Sequence, residues 1–277
     1  MNPTLADFSP DELERHVSGH LTNCIGFYMK KSRVGDWHEA DGYFRMYTGY
    51  PNAFGNVIGG ANFQEADAPA KIAEAIAPFV ENPVPCMWLA GPDSSPSNLS
   101  ELLAKNGLSF IGSMPGMVLD ISTYEPDELP KGITIETVHS DQQLDIWIQV
   151  LADGYGLPYE VADLFRNVTR ESYTEADSSV VAFICRADGM PAACSCIFDF
   201  EGTTGIYCVA TLADFRNRGL GRAITSASIS AGRERGSNIA LLQASEMGKS
   251  VYEKLGFRTV TTINMFTVGA LLENPRA

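Results

Sequence analysis

Positive charge is scarce in this sequence: 20 Lys and Arg stand against 34 Asp and Glu, a formal net charge of −14. That excludes a generic nucleic-acid partner, because phosphate contacts need a surplus of Lys and Arg. An acidic surface steers cationic molecules inward, and it also serves plain solubility. Cysteine is sparse as well. Cys24, Cys86, Cys185, Cys194, Cys196 and Cys208 form no Cys-x-x-Cys pair, and most lie in apolar strand-like runs. They read as reduced core thiols, not as a zinc ribbon or a disulfide scaffold. Histidine is rare. His16 and His20 have the i, i+4 spacing that can hold a metal, but no third ligand accompanies them. They read as solvated, His139 reads as a surface residue, and no metal is expected. No apolar run approaches the ~18 residues a membrane helix needs, and the polar, acidic N-terminus lacks a secretory pattern. No membrane partner and a cytoplasmic location are the expectations.

What is present suffices for two ordinary domains: 277 residues, 45% of them hydrophobic. Ser9-Pro10-Asp11-Glu12 makes a capping-box helix start, followed by Leu13, Val17, Leu21, Cys24 and Tyr28 on one face as far as Lys31. Trp37–Gly49 reads as irregular, with a short strand at Tyr43–Tyr47. Phe54–Ala61 reads as a glycine-interrupted strand, Asp67–Val80 as a helix, Cys86–Ala90 as a buried strand and Ser97–Asn106 as a helix. Two strands follow, Leu108–Ile111 and Met117–Ile121. The stretch Thr123–Gly132 is acidic, polar and twice broken by proline, so it reads as a linker, giving domains 1–125 and 126–277. Beyond it the pattern predicts a strand at Ile133–Val138 and helices over Asp141–Ala152 and Val161–Tyr173. Strands follow at Val180–Arg186, Ala192–Asp199 and Gly205–Leu212, joined by Asp188-Gly189 and Glu201-Gly202 hairpin turns. A closing strand falls at Val260–Val268.

The most informative stretch is Arg216-Asn217-Arg218-Gly219-Leu220-Gly221. An apolar strand precedes it, and a helix with Leu220, Ile224, Ala227 and Ala231 follows. Strand, basic glycine turn and helix start make an anion cradle: the first helical N–H groups lack partners and the dipole is positive there. Gly219 and Gly221 carry no Cβ, so a phosphate can approach the backbone, and Arg216, Arg218 and Arg222 add charge. Two other phosphate loops fail by one residue each. A dinucleotide fingerprint needs a glycine where Ile224 stands, and a Walker loop ending in Gly248-Lys249-Ser250 needs one where Gln243 stands. A solvated basic helix cap stays open on the hexad alone.

Arg-x-x-Gly-x-Gly after a strand, followed about thirty residues on by Val251-Tyr252-Glu253-Lys254-Leu255-Gly256-Phe257, resembles the GCN5-related N-acetyltransferase (GNAT) family over about the last 145 residues. The resemblance implies an α/β (α+β) fold: a mixed, mostly antiparallel central sheet flanked by helices, the acyl-CoA N-acyltransferase fold. Residues 88–108 echo 241–257, so the N-terminal half reads as a partial second copy, a degenerate module with Gly59-Gly60-Ala61-Asn62 in place of the arginine-glycine turn. The resemblance further implies acetyl-CoA as co-substrate. The backbone of Asn217, Arg218, Gly219, Leu220, Gly221 and Arg222 would hold the pyrophosphate, with Arg216 in the first motif position. Val209 and Thr211 would pair with the pantetheine arm through their backbones. Ser245 stands where many members have Asn, and Gly248 where many have Ala. Tyr252 occupies the family's thiolate-protonating position, and Glu201, or Asp199, is the candidate base by way of water. Tyr155, Tyr159, Phe165 and Phe266 are candidates to line the acceptor site.

The implied activity is transfer of an acetyl group to a primary amine of a small molecule or peptide, by direct attack in a ternary complex. The alternatives are a non-catalytic acyl-CoA-binding regulator and a tandem acyltransferase with another donor. An aminoacyl-tRNA donor is disfavoured by the acidic charge. A homodimer is compatible with the sequence.

Overall fold

Two dipeptides set the hairpins of the C-terminal half. Asp188-Gly189 and Glu201-Gly202 each place successive residues at positive φ, 49° and 83° in the first, 48° and 74° in the second. That is the tight turn whose twist matches its flanking strands. The computed structural model describes residues 2–31, 34–40, 42–174 and 179–268. The described residues group into two compact units: Pro10–Gly116 with 260–268, and 2–9 with Met117–Thr259.

In the N-terminal unit, α1 (Pro10–Lys31) begins at its proline and carries Leu13, Val17 and Cys24 inward. His20 is also inside, only 1% exposed, which corrects the solvated reading. Its ring meets His16 edge-on at 6.1 Å, and no cluster of three metal-ligating side chains exists among the described residues. β1 (Asp36–Ala40) pairs with β2 (Tyr43–Tyr47), so part of the stretch expected to be irregular is strand. Its Asp-Trp-His-Glu-Ala sequence does not alternate, and cross-strand pairing, such as Trp37 stacked on Phe44 at 5.3 Å, holds it instead. Then come β3 (Val57–Gly59), α2 (Ala68–Glu81), β4 (Cys86–Ala90), α3 (Leu99–Lys105) and β5 (Ser109–Asp120). β5 is one long strand where two were expected.

The C-terminal unit contains β6 (Ile133–Thr137), α4 (Asp141–Tyr155), α5 (Tyr159–Thr174), β7 (Val180–Ala187), β8 (Met190–Phe200) and β9 (Thr203–Thr211). After β9 come α6 (Leu220–Glu234), β10 (Ile239–Gln243) and α7 (Glu246–Lys254), and β11 (Arg258–Val268) closes the described chain. From β10 to β6 the strand order is β10-β9-β8-β7-β6, antiparallel except for β9 and β10. Those two are parallel because α6 crosses between them. α6 lays Leu220, Ile224 and Ile229 into the core of this unit, each at most 1% exposed and each contributing about 1.5–3 kcal/mol. The architecture is thus a mixed, mostly antiparallel sheet flanked by helices, as expected.

The internal echo has a structural counterpart. β3 and β4 are also parallel, joined by α2, with Ile58 opposite Trp88 as Gly205 is opposite Leu241. The linking segments differ: α6 starts 15 residues after Gly205 (220 − 205), α2 only 10 after Ile58 (68 − 58). The shorter segment leaves no arginine-glycine bend. Its backbone is engaged instead, with the Asn62 N–H donating to the Gly42 carbonyl at 2.7 Å and the Ser95 N–H to the Ala61 carbonyl at 2.8 Å. Compact units and sequence modules part company in two places. Residues 117–125 pack with the C-terminal unit, where Met117 and Ile121 are fully buried. The end of β11 pairs with β4, from Asn264–Ala90 to Val268–Cys86.

Candidate functional site

β9 ends at Thr211 and the chain must turn into α6. It does so by a short 3-10 turn over Ala213–Phe215, then extended backbone at Arg216, then left-handed backbone at Asn217 (φ 60°) and Gly219 (φ 79°). Asn and Gly are the residues that tolerate such a φ, so the hexad spells its own bend. A Cβ on Gly219 would meet nothing within 4 Å, and one on Gly221 only Thr211 Oγ1 at 3.6 Å. Gly219 is therefore required by conformation, while both positions keep the bend open. Residues 216–219 are exposed. Among the described residues, no protein acceptor takes the backbone N–H of Asn217, Arg218, Gly219, Leu220, Gly221 or Arg222; the first helical bond is Ala223 to Gly219. Six consecutive unpartnered N–H groups at a helix start form a nest for an anion.

The three arginines separate by role. Arg218 lies over the Phe215 ring at 5.2 Å and remains exposed. Arg222 reaches away, to Asp127 at 2.5 Å and to the Lys254 carbonyl at 3.2 Å, so its charge is matched within the protein. Arg216 donates to the Gly154 carbonyl at 3.0 Å and to the Thr211 carbonyl at 3.3 Å.

Upstream, β9 carries an irregularity that the sequence reading missed. Cys194 pairs with Ala210 and Cys196 with Tyr207, so β9 has one residue more than β8 between these points. Cys208 sits in this bulge at φ 54°. A bulge re-aims the backbone and leaves one partner carbonyl without its ladder bond. The buried indole of Trp147 supplies that bond, donating to the Ser195 carbonyl at 2.8 Å. The only signal in the sequence was a buried Trp on the inward face of α4. Registered pairing of β9 with β10 involves Thr204 and Gly205. Val209 and Thr211 are half-buried further along. The Thr211 carbonyl is engaged by Arg216, which leaves Val209, beside the bulge, as the candidate for backbone pairing with a ligand.

Ser245 caps α7, its hydroxyl accepting from the Gly248 N–H at 3.1 Å. Two turns on, Tyr252 is 8% exposed and packs edge-on against Phe257 at 6.1 Å. Burial pushes its phenol up to about 12, because the charged form would lose its water. Tyr155, at the end of α4, is also pushed well up, first by desolvation, then by Cys208, Tyr252, Cys194 and Cys196. Tyr155 keeps 39% of its surface exposed, so this shift reflects crowding of its hydroxyl end. The end of α4 that carries Tyr155 abuts β9 beside the bulge, with Gly154 against Ala210 and Thr211, and Tyr252 belongs to the core cluster on which Val209 packs.

The structure does not bring Glu201 to the bulge. Glu201 occupies the exposed β8–β9 turn, seven residues before Cys208, on the order of 20 Å along the strand. Asp199 is held by Arg235 and by the Thr204 hydroxyl at the same end. Phe266 is buried in the core of the N-terminal unit and meets Phe110 edge-on at 5.6 Å. Phe165 is half-buried on α5, and the Tyr159 side chain lies outside the described ones.

Residues 178–259 match the family described as Acetyltransferase (GNAT) domain. No curated protein matches the sequence. Among solved structures, the chain is similar to a GCN5-related N-acetyltransferase from Kribbella flavida, with 18% identity over 93% of this chain and 95% of that one and a TM-score of 0.69. It is also similar to a GCN5-related N-acetyltransferase from Sphaerobacter thermophilus, with 14% identity over 83% and 79% and a TM-score of 0.62. A tandem GNAT protein from the clavulanic acid biosynthesis pathway matches at 13% identity over 82% and 78%, with a TM-score of 0.58. At these identities the likeness is one of fold.

Proposed function

With a GNAT domain at residues 178–259 as the premise, we propose that the C-terminal unit binds acetyl-CoA and passes its acetyl group directly to a primary amine. The observation that carries this reading is the run of six N–H groups without a protein acceptor among the described residues, Asn217 to Arg222, which opens at the exposed residues 217–219 at the start of α6. A pyrophosphate would satisfy several of these groups at once, and Arg218 supplies an exposed positive charge beside them. Val209, next to the bulge, offers backbone groups to an amide-bearing arm. When bound, the thioester supplies an activated acyl group and a thiolate leaving group.

Tyr252 is the chain's donor toward the leaving sulfur. A phenol held at about 12 stays protonated at neutral pH. Complete transfer to a thiolate, whose ordinary value is about 8.5, runs uphill. The hydroxyl therefore acts by donating a hydrogen bond as charge develops on sulfur, and the amine's own proton ends on the thiolate. Among the described residues neither Glu201 nor Asp199 reaches the bulge, so no protein base is assigned and the acceptor enters as the neutral amine. The acidic surface favours a cationic acceptor at the encounter stage.

Calorimetry with acetyl-CoA, followed by an amine panel read through free-thiol release, tests the reading. Wild type binds and turns over, and Gly221→Trp, which fills the phosphate approach, abolishes binding. Unchanged affinity in Gly221→Trp removes the bend from the site. Binding without turnover across a broad panel favours a non-catalytic acyl-CoA sensor.

A further inference from the structure

α4 ends against β9. A Cβ on Gly154 would lie 2.8 Å from the Ala210 Cβ and 3.4 Å from the Thr211 nitrogen, so only glycine allows this contact. The last carbonyls of a helix lack intrahelical donors. Here the N–H groups of Gly156 and Leu157 serve Ala152 and Asp153, and the Gly154 carbonyl is served by Arg216 Nη2 at 3.0 Å. The same guanidinium bonds the Thr211 carbonyl through Nε at 3.3 Å. One side chain at the root of the phosphate bend therefore ties the end of the donor strand to the end of α4. The negative end of the α4 dipole favours a cation there. The residue after Gly154 is Tyr155, carried by the same helix end that Gly154 sets against Ala210 and Thr211 of β9.

We infer that Arg216 is a positioning residue that couples occupation of the phosphate bend to the placement of Tyr155, and is not itself a phosphate ligand. The inference rests on the acyl-CoA reading above and assigns one arginine of that site a different task. Its two hydrogen bonds go to protein carbonyls, while the six N–H groups without protein acceptors and the exposed Arg218 are left for an anion. An anion that draws in residues 217–222 pulls on Arg216, and Arg216 moves the α4 end with Tyr155. The coupling is reciprocal, so seating an acceptor against Tyr155 tightens the bend in turn.

The test uses the full chain with 3-fluorotyrosine in place of tyrosine. The Tyr155 fluorine resonance is assigned by its loss in Tyr155→Phe. The probe is 3′-phosphoadenosine 5′-diphosphate, the part of coenzyme A without the pantetheine arm, which offers the bend its diphosphate alone. Saturating wild type with it is expected to shift the Tyr155 resonance. Arg216→Ala is expected to bind the probe with affinity reduced no more than about threefold, the size of one modest indirect contact, and to lose the shift. Arg216→Lys, which can restore one of the two bonds, recovers part of it. Arg218→Ala is expected to weaken probe binding by about tenfold or more, as removal of a charge-assisted contact does.

A loss above tenfold in Arg216→Ala overturns the inference and makes Arg216 a phosphate ligand, leaving the acyl-CoA reading intact. A wild-type resonance that does not move, or a shift that persists in Arg216→Ala, overturns the coupling alone. Failure of wild type to bind either the probe or coenzyme A sinks the acyl-CoA reading itself. If Arg216→Ala does not fold, Arg216→Lys is compared with wild type instead: a reduced shift is expected, and an undiminished one overturns the coupling.

Discussion

Tyr252 can serve a leaving thiolate only while its own proton stays in place, and burial secures that up to about pH 12. Removing the hydroxyl should therefore cost turnover and spare binding. In Tyr252→Phe the ring and its contact with Phe257 remain, so kcat is expected to fall about 10- to 100-fold. Acetyl-CoA affinity by calorimetry should stay within about twofold, since the ring still packs. Equal turnover would return Tyr252 to a packing role. Gly219 is bound by backbone conformation and not by space. Gly219→Ala places a Cβ at φ 79° with nothing nearby to clash, and the strain of left-handed backbone should destabilise the folded chain by about 1–2 kcal/mol. A urea midpoint indistinguishable from wild type would mean that the bend relaxes without cost.

At the scale of elements, the bulge in β9 and its support from α4 decide where the strand presents its backbone. The extra residue at Cys208 breaks the ladder opposite Ser195, and the Trp147 indole fills the gap. Trp147→Phe leaves the buried Ser195 carbonyl without a donor and shrinks a fully buried side chain. Destabilisation of about 1–3 kcal/mol from the unmet carbonyl is expected, read from the denaturant midpoint. A change below about 0.5 kcal/mol would show that water or a relaxed ladder satisfies the carbonyl. Nothing in Ala-Cys-Ser-Cys-Ile or Tyr-Cys-Val-Ala announces a bulge, because a bulge is a property of two strands in register.

For the whole molecule, the acid–base outlook follows from what surrounds the two tyrosines. Burial raises both phenols, and below their pKa values a raised acid stays neutral, so neither changes state between pH 6 and 10. The rate with a given amine should rise with pH toward that amine's own pKa and then level. An inflection that stays in place when the amine is changed would reveal an enzyme base. The compact units also bear on how the chain can be cut. A fragment of residues 126–277 lacks Met117 and Ile121, both fully buried in the core of the C-terminal unit, and the Ile121 N–H bond to the Asn238 carbonyl. It is expected to lose its cooperative thermal transition by circular dichroism, since emptying two such sites costs several kcal/mol, about 2–5 for each. A melt as sharp as that of the full chain would contradict this.

Local patterns were legible in advance because local chemistry sets them. Cys86–Ala90 read as a buried strand, Asp188-Gly189 and Glu201-Gly202 as hairpin turns, and residues 216–221 as a basic glycine turn before a helix, all from residues adjacent in sequence. The sequence by itself determined most of the element order, apart from β1 and the continuity of β5, and the glycine turn before α6, while the mixed sheet followed from the family resemblance. Tertiary structure alone decided that Arg216 turns to the Gly154 carbonyl, that Arg222 turns to Asp127, that β9 bulges at Cys208, and that the end of β11 pairs with β4. Each of these depends on which distant groups folding brings within hydrogen-bonding reach, and no spacing along the chain encodes that distance.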